Sequence, residues 1–424
     1  MLKINYISPM LPAKTAIADY SHYICKALSL LSELNVYSSN NGAYNIGNLN
    51  VLPLEALVQR NLNTVDFNIY QIGNDSRFHS KILELSKNNP GIIVLHDLLL
   101  LELILGSAIN HDEEAVKDFV GCLSSEYGEL GFLRGLAMID GKLSATPSAE
   151  RFPLFQCIVD NALGVIVHNE YLVEKIKAQN LNVPIIYLPL PWEVSKIDLY
   201  QIKRKYLLEP SNSLNLLIFG FIGKNRRLKQ ILSVLDKMKE YLVFHLDVAG
   251  EVADLHEIEQ YLVMHKMMPF VKMHGFVSDE DLDFLIKRAD LVLNLRNPTM
   301  GEASATVLKT WNNGTACVVS DVGWYASLPK HSVIHVSSEN EAEDLHLLFL
   351  KLQKSKSFLY NYAVAGSENV KSHSPSLCAD KINAWLSDNK DNFLEKWIAR
   401  FLVKKFAHIW SDCYYKAINY TRSI

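Results

Sequence analysis

The chain has 424 residues, too many for one ordinary hydrophobic core and suited to two domains. With 49% hydrophobic and 21% charged residues it is not a disordered polyelectrolyte. A net charge of −4 gives no general pull on a polyanion, so no nucleic-acid partner is expected.

The opening MLKINYISP carries one lysine and then strand-like alternation, unlike a secretory leader. No apolar run approaches the ~20 residues that span a bilayer, and Leu98–Leu105, broken by Glu102, reads as a buried helix. Six scattered cysteines (Cys25, Cys122, Cys157, Cys317, Cys378, Cys413) form no CxxC pair. That suits neither a zinc site nor a disulfide framework, and it fits a reducing, cytoplasmic setting.

Short β-branched or aromatic runs alternate with helical patterns, the signature of parallel sheets covered by helices. Strands are expected at Leu2–Ser8, Leu34–Ser38, Phe67–Ile72, Gly91–Leu95, Gly164–Val167 and Pro184–Leu188, with a helix over about Ala18–Leu31. Between Leu98 and Phe155 the pattern is helical. The polar stretch Glu209–Asn215 marks a domain boundary there or just before it. The second half expects strands at Leu216–Phe219, Val243–Ala249, Val271–His274, Leu291–Leu295, Ala316–Ser320 and Val333–Val336. Helices are expected at Arg227–Lys239, Leu255–His265, Asp279–Ala289 and Ala305–Asn313. The fold class is α/β, with two doubly wound Rossmann-like domains facing across a cleft lined by the carboxyl ends of their strands. The expected limits are 1–190 and 214–375 for the domains, 191–213 for a linker, 376–390 for a crossing helix and 391–424 for a tail.

Polar residues and glycines stand at strand ends where a buried sheet needs none. The loop Pro12–Ser21 is rich in small residues, so Ala16 and Asp19 lie where a helix start can meet a sugar or an anion; an ordinary strand-to-helix loop explains them equally. Asn74, the pair His96–Asp97 and His168 close three further strands. An imidazole there can donate to a sugar hydroxyl or a leaving phosphate, although a lone histidine is more often structural.

In the second half, Gly220 is followed by Lys224, Arg226 and Arg227, a plausible diphosphate grip of charge-assisted donors. Cations at a helix start oppose the macrodipole, which argues for use rather than a solvated face. Gly250–Glu251 ends the next strand. The most informative stretch holds Arg296, Glu302, Ser304, Ala305, Thr306 and Lys309. Backbone N–H groups near Ser304–Thr306 can meet a pyrophosphate, and Glu302, taken as an exposed loop acid, can accept from sugar hydroxyls.

The run PTMGEASATVLKTWNNGTACVVSDVGW resembles the donor-binding segment of retaining glycosyltransferases of family 4 (group 1). AIADYS, YQIGND, GIIVLHD and HGFVSDEDLDFLIKRADLVLNLR are similar to the same branch, and the resemblance covers about residues 1–385. It implies the GT-B fold, a nucleotide-sugar donor used as substrate, and no metal or other cofactor. It further implies a saccharide or lipid-linked acceptor, in cell-surface polysaccharide or glycolipid synthesis. Glu302 then matches the acid on the donor sugar, Arg226 the diphosphate grip and His96 the histidine near the sugar. Three positions depart from the pattern and bear on nucleotide recognition: Lys309 or Thr310 replaces a second glutamate, Ala16 a glycine, and Phe221 an arginine. Two other readings stay open, an enzyme such as a sugar-nucleotide epimerase and a catalytically silent scaffold that binds a partner transferase.

The tail from Asp391 to Ile424 repeats Phe393, Trp397, Phe401 and Leu394, Ile398, Leu402, Phe406 at four-residue spacing. Lys396, Arg400, Lys404 and His408 form a stripe beside them, joined by Lys405. This is the pattern of a helix lying on a membrane surface, and it serves packing onto a domain equally well. A peripheral position at the inner face of the membrane is the expectation it raises.

Overall fold

The computed structural model describes residues 1–40, 42–58, 65–109, 113–179, 181–210, 212–403 and 405. They form two compact units, Met1–Pro191 with the described residues from Pro375 onward, and Trp192–Ser374.

Unit 1 runs β1 (Lys3–Ser8), α1 (Ala16–Leu28), β2 (Glu33–Ser38), β3 (Val51–Pro53), α2 (Leu54–Val58), β4 (Phe67–Ile72) and α3 (Ser76–Asn88). It continues with β5 (Ile92–Leu95), α4 (Leu101–Ile109), α5 (Glu113–Ile139), α6 (Phe155–Val159), β6 (Gly164–Val167), α7 (Glu170–Ala178) and β7 (Ile185–Tyr187). The sheet order is β3-β2-β1-β4-β5-β6-β7, and its pairs are parallel, with Ile4 opposite both Leu34 and Phe67. Central strands such as IIVL are buried throughout, because helices cover both faces. The order reverses between β1 and β4, so the loops leaving these strands diverge and open a crevice at their carboxyl ends.

Unit 2 runs α8 (Leu199–Lys203), β8 (Leu214–Phe219), α9 (Leu228–Met238), β9 (Phe244–Ala249), α10 (Leu255–Met264), β10 (Val271–Gly275), α11 (Asp279–Arg288) and β11 (Leu291–Asn294). There follow α12 (Ala305–Asn312), β12 (Ala316–Ser320), α13 (Gly323–Ala326), β13 (Ile334–Val336), α14 (Glu341–Lys354) and α15 (Leu359–Asn369). The order β10-β9-β8-β11-β12-β13 places the reversal between β8 and β11. The Gly220–Arg227 and Leu295–Ser304 segments leave the two strands that flank it.

Several boundaries differ from expectation. The first helix starts at Ala16, because the Thr15 side chain caps it by accepting from Ile17 N. β3 escapes the sequence because it is three residues long and not buried. Residues 191–213 are not a linker: α8 belongs to unit 2, and Tyr206 is buried with its hydroxyl donating to Asp290 O at 2.8 Å.

After unit 2 the chain returns as α16 (Pro375–Asp388), which packs along α1 in unit 1. Residues 390–403 are helical again and do not stand apart as a tail. Phe393 is buried between the rings of Phe67 and Trp385, at 5.8 and 4.7 Å. Gly164 leaves the space for it, since a Cβ there would lie 2.9 Å from Phe393. Arg400 is not part of a solvated basic stripe. Its guanidinium donates to the carbonyls of Asp160 (3.3 Å), Asn182 (3.0 Å) and Ala162. Leu394, Ile398, Phe401 and Leu402 lie exposed on another face of the same helix. Lys404, Phe406 and His408 fall outside the described residues.

Candidate functional site

In unit 2, glycine ends both β8 and β9 because the two backbones nearly touch. Gly220 and Gly250 have φ of 101° and 129°, and a Cβ on Gly250 would lie 2.0 Å from Gly220 O. A Cβ on Gly220 would meet only Thr306 Oγ1, at 3.8 Å, so open space separates this turn from the start of α12. Ser304 caps α12, accepting from Val307 N. The amides of Ala305 and Thr306 are first-turn groups with no acceptor inside the helix.

The turn after Gly220 drives Arg226 inward. Its side chain is 2% exposed, with Nη1 donating to Asn294 Oδ1 (2.6 Å), Nη2 donating to Phe219 O (2.9 Å) and Nε unpartnered. Asn294 ends β11 and donates onward from Nδ2 to Ser304 Oγ, at 3.1 Å. Arg296 follows two residues later and donates from Nε to Glu302 Oε1, at 2.8 Å.

Glu302 is not an exposed loop acid. Oε1 also accepts from the Tyr325 hydroxyl (2.8 Å), and Oε2 accepts from Thr299 Oγ1 (3.1 Å) and Met300 N (2.8 Å). Buried Arg226 and part-buried Arg296 thus lie near one carboxylate, which of the two only Arg296 contacts, and the cluster carries net positive charge. Burial first, and then the neighbouring Arg296, lower the Arg226 pKa to about 9. Burial pushes the adjacent Cys317 thiol up to about 12, with both arginines opposing.

Other expected donor-side residues are engaged elsewhere. Arg227 donates from Nε to Glu341 Oε1 at 2.9 Å, holding the start of α14. Lys309 turns to α11, 2.7 Å from Asp279 and 3.6 Å from Asp283. Lys224 is exposed, 3.9 Å from Asp254. Glu251 is exposed as well, and its carbonyl accepts from Ile222 N. The site also uses Asn294, Thr299 and Tyr325, which the sequence reading missed. A lone asparagine closing the apolar run LVLN was the one available signal; Tyr325 offered none.

In unit 1, His96 and His168 come together at the ends of β5 and β6. Their ring centroids are 5.4 Å apart, and Tyr20 of α1 lies 4.9 and 5.0 Å from them. His96 Nε2 donates to Gln71 Oε1 at 2.8 Å. His79 Nδ1 donates to the Gln71 carbonyl at 2.9 Å. Burial, then the neighbouring imidazoles, hold His96 well below its ordinary pKa, so the ring is neutral at pH 7. The Tyr20 hydroxyl and Gln71 Nε2 are buried without partners.

Asn74 and Asp97 knit the neighbouring loops. Asp97 Oδ2 accepts from Asn74 N (2.8 Å), while the Asn74 side chain accepts from Leu103 N (3.2 Å) and donates to Glu102 (3.2 Å). Gly73 gives close packing beside them, since a Cβ would lie 2.6 Å from the Ile17 side chain and 3.3 Å from Asp97. Ala16 and Asp19 sit in the first turn of α1.

Residues 200–366 match the family model for glycosyl transferases group 1. No curated protein sequence matches the chain. Among solved structures, Anabaena HepE in complex with UDP is similar at 15% identity and TM-score 0.58, over 91% of this chain and 100% of that one. Sucrose-phosphate synthase from Thermosynechococcus elongatus is similar at 11% identity and TM-score 0.62, over 92% and 99%. WaaG, a glycosyltransferase involved in lipopolysaccharide biosynthesis, is similar at 11% identity and TM-score 0.56, over 90% and 98%. Residues 200–366 are thus similar to the glycosyl transferases group 1, and the fold of the chain is GT-B.

Proposed function

We propose that this glycosyltransferase moves a sugar from a nucleotide-sugar donor, with retention and without a metal, to a saccharide or lipid-linked acceptor. The observation that carries the proposal is buried Arg226 and part-buried Arg296 with the single carboxylate of Glu302, beside the open turn at Gly220 and the first-turn amides of α12. A cluster with excess buried positive charge suits an anion such as the donor's diphosphate.

The mechanism follows from that charge. As the glycosidic bond breaks, negative charge grows on the departing diphosphate and the anomeric carbon becomes oxocarbenium-like. Donors already in place at the leaving oxygens need no reorganisation, and losing one such donor typically costs on the order of 10²–10³ in rate. Arg226 acts here through the Asn294–Ser304 chain at the start of α12 as well as by its charge. Glu302 orients Arg296, and it can exchange its Thr299 or Tyr325 contact for a sugar hydroxyl. In unit 1 the neutral His96, Gln71 and Tyr20 offer hydrogen bonds to hydroxyl groups, the chemistry an acceptor-side site needs. UDP is the first donor nucleotide to test, because HepE is described in complex with UDP-glucose.

The exposed stripe Leu394, Ile398, Phe401 and Leu402, with Lys405 beside Phe401, supports a peripheral place at the inner membrane face and a lipid-linked or growing-polysaccharide acceptor. The deciding experiment is a hydrolysis and transfer screen across UDP-, GDP- and dTDP-sugars in the presence of EDTA. Transfer that needs added Mn²⁺ would reject the metal-free mechanism. No binding of any nucleotide sugar in calorimetry would favour a silent scaffold.

A further inference from the structure

Unit 1 holds a second reactive feature that sugar transfer does not use. Cys122 on α5 and Cys157 on α6 are both partly exposed and free. They share the wall of a cavity of about 50 Å³ with Lys87, Ser86 and Asn161. The remaining described cysteines, Cys25, Cys317 and Cys378, are buried.

The surroundings divide the labour between the two sulfurs. The neighbouring Cys157 thiol, then the Lys87 ammonium, draw the Cys122 thiol below its ordinary range against burial, Asp118 and Glu126. Lys87 is itself 3.0 Å from Asp118, so its effect is moderated rather than lost. Cys157 is held well above its ordinary range by the nearby Cys122 thiol and by burial, and its S–H donates to Leu154 O at 3.0 Å. The thiolate is the attacking species in thiol–disulfide exchange, so Cys122 is the nucleophile and Cys157 the resolving thiol.

We propose that Cys122 and Cys157 form a dithiol modification site, oxidised to an intramolecular disulfide by a small-molecule disulfide. In the first step the Cys122 thiolate attacks one sulfur of the reagent, forming a mixed disulfide and releasing one thiolate. In the second, Cys157 loses its proton to solvent and displaces the other half of the reagent from Cys122. The chain gives up two electrons and two protons, and the reagent leaves as two thiols. The bond closes a loop over residues 123–156, which contains the break in α5 at Gly128 (φ 62°) and its second half. Closing such a loop narrows the unfolded ensemble, so the oxidised form should melt higher.

The full-length protein is incubated at pH 7.5 with oxidised glutathione, alkylated and mapped by peptide mass spectrometry, with thermal melting in parallel. The expected result is a Cys122–Cys157 linked peptide 2 Da lighter than the two reduced peptides together, formed before any change at Cys25, Cys317 or Cys378. The melting temperature should rise by several degrees and return with dithiothreitol. Cys157→Ser should stop at a stable glutathione adduct on Cys122, and Cys122→Ser should show neither adduct nor bridge. A persistent adduct on Cys122 in the unsubstituted protein would overturn the proposal, as would reaction at the buried cysteines first. If the serine variants melt below the unmodified protein, the mapping readout still decides, since it needs only the native fold at 25 °C.

Discussion

Arg226 gives its shortest hydrogen bond, 2.6 Å, to the side-chain oxygen of Asn294, so a neutral amide and not a carboxylate receives a fully buried guanidinium. The charge is therefore left for a ligand to neutralise. Asn294→Asp is the variant that reads this out. A carboxylate there would neutralise Arg226 in place, so nucleotide affinity should fall tenfold or more while the fold persists. Arg226→Ala should also weaken the nucleotide, and it should destabilise unit 2 because Asn294 Oδ1 and Phe219 O lose their donor. Calorimetry with UDP beside urea unfolding separates the two variants. Unchanged UDP affinity in Asn294→Asp would remove Arg226 from the donor site.

Glu302→Gln should lose both stability and turnover. The acid accepts from Arg296, Tyr325, Thr299 and Met300 N, and an amide nitrogen would face donors on one side. A loss of about 1–3 kcal/mol in unfolding free energy is the expected scale for a part-buried network of this kind. Urea denaturation and a transfer assay on the same preparation check it. Near wild-type transfer would withdraw Glu302 from the site.

Unit 1 should lose stability as pH falls below about 6.5. His79 is lowered to about 4, by burial first and against its bond to the Gln71 carbonyl, and His96 is lowered well below 6.5. Between those values the unfolded chain binds protons that the native one refuses, so stability is full above the unfolded pKa and drains toward the folded one. For His79 alone the loss by pH 4 is on the order of 3 kcal/mol. Thermal melts from pH 7.5 to 4.5 should show this slope, and His79→Gln should flatten it. A pH-independent melt would show that the two rings titrate normally.

Truncation at Lys390 is a poor test of membrane attachment, because it removes Phe393 and Arg400 from the core of unit 1. Phe393→Ala alone should cost about 3–5 kcal/mol through the cavity it leaves. The informative variant exchanges exposed Leu394, Ile398, Phe401 and Leu402 for serine. It should keep the melting temperature within a few degrees and lose co-sedimentation with anionic vesicles. In the unmodified chain that binding should weaken as salt rises, each basic residue near the surface contributing about 1 kcal/mol. Equal sedimentation of both forms would assign the stripe to another role.

What the sequence determined by itself was local and periodic. Buried parallel strands are continuous apolar runs, so IIVL and GVIV announced themselves, and so did the polar residues that end them, His96 and His168 among them. The motif from Leu295 to Trp324 was legible for the same reason, since Gly301, Glu302 and the cap Ser304 lie within one strand-to-helix connection. Partnership across the sheet was not legible. Whether Arg226 reaches solvent or Asn294 depends on two residues 68 apart in sequence meeting where the strand order reverses. Arg227 and Arg226 look alike in sequence, yet one holds α14 and the other lies beneath the open turn at Gly220. Periodicity could show that residues 391–403 form an amphipathic helix, but only the packed structure could say which face is buried. A hydrophobic stripe specifies burial without specifying against what, and that choice was made by the space Gly164 leaves for Phe393.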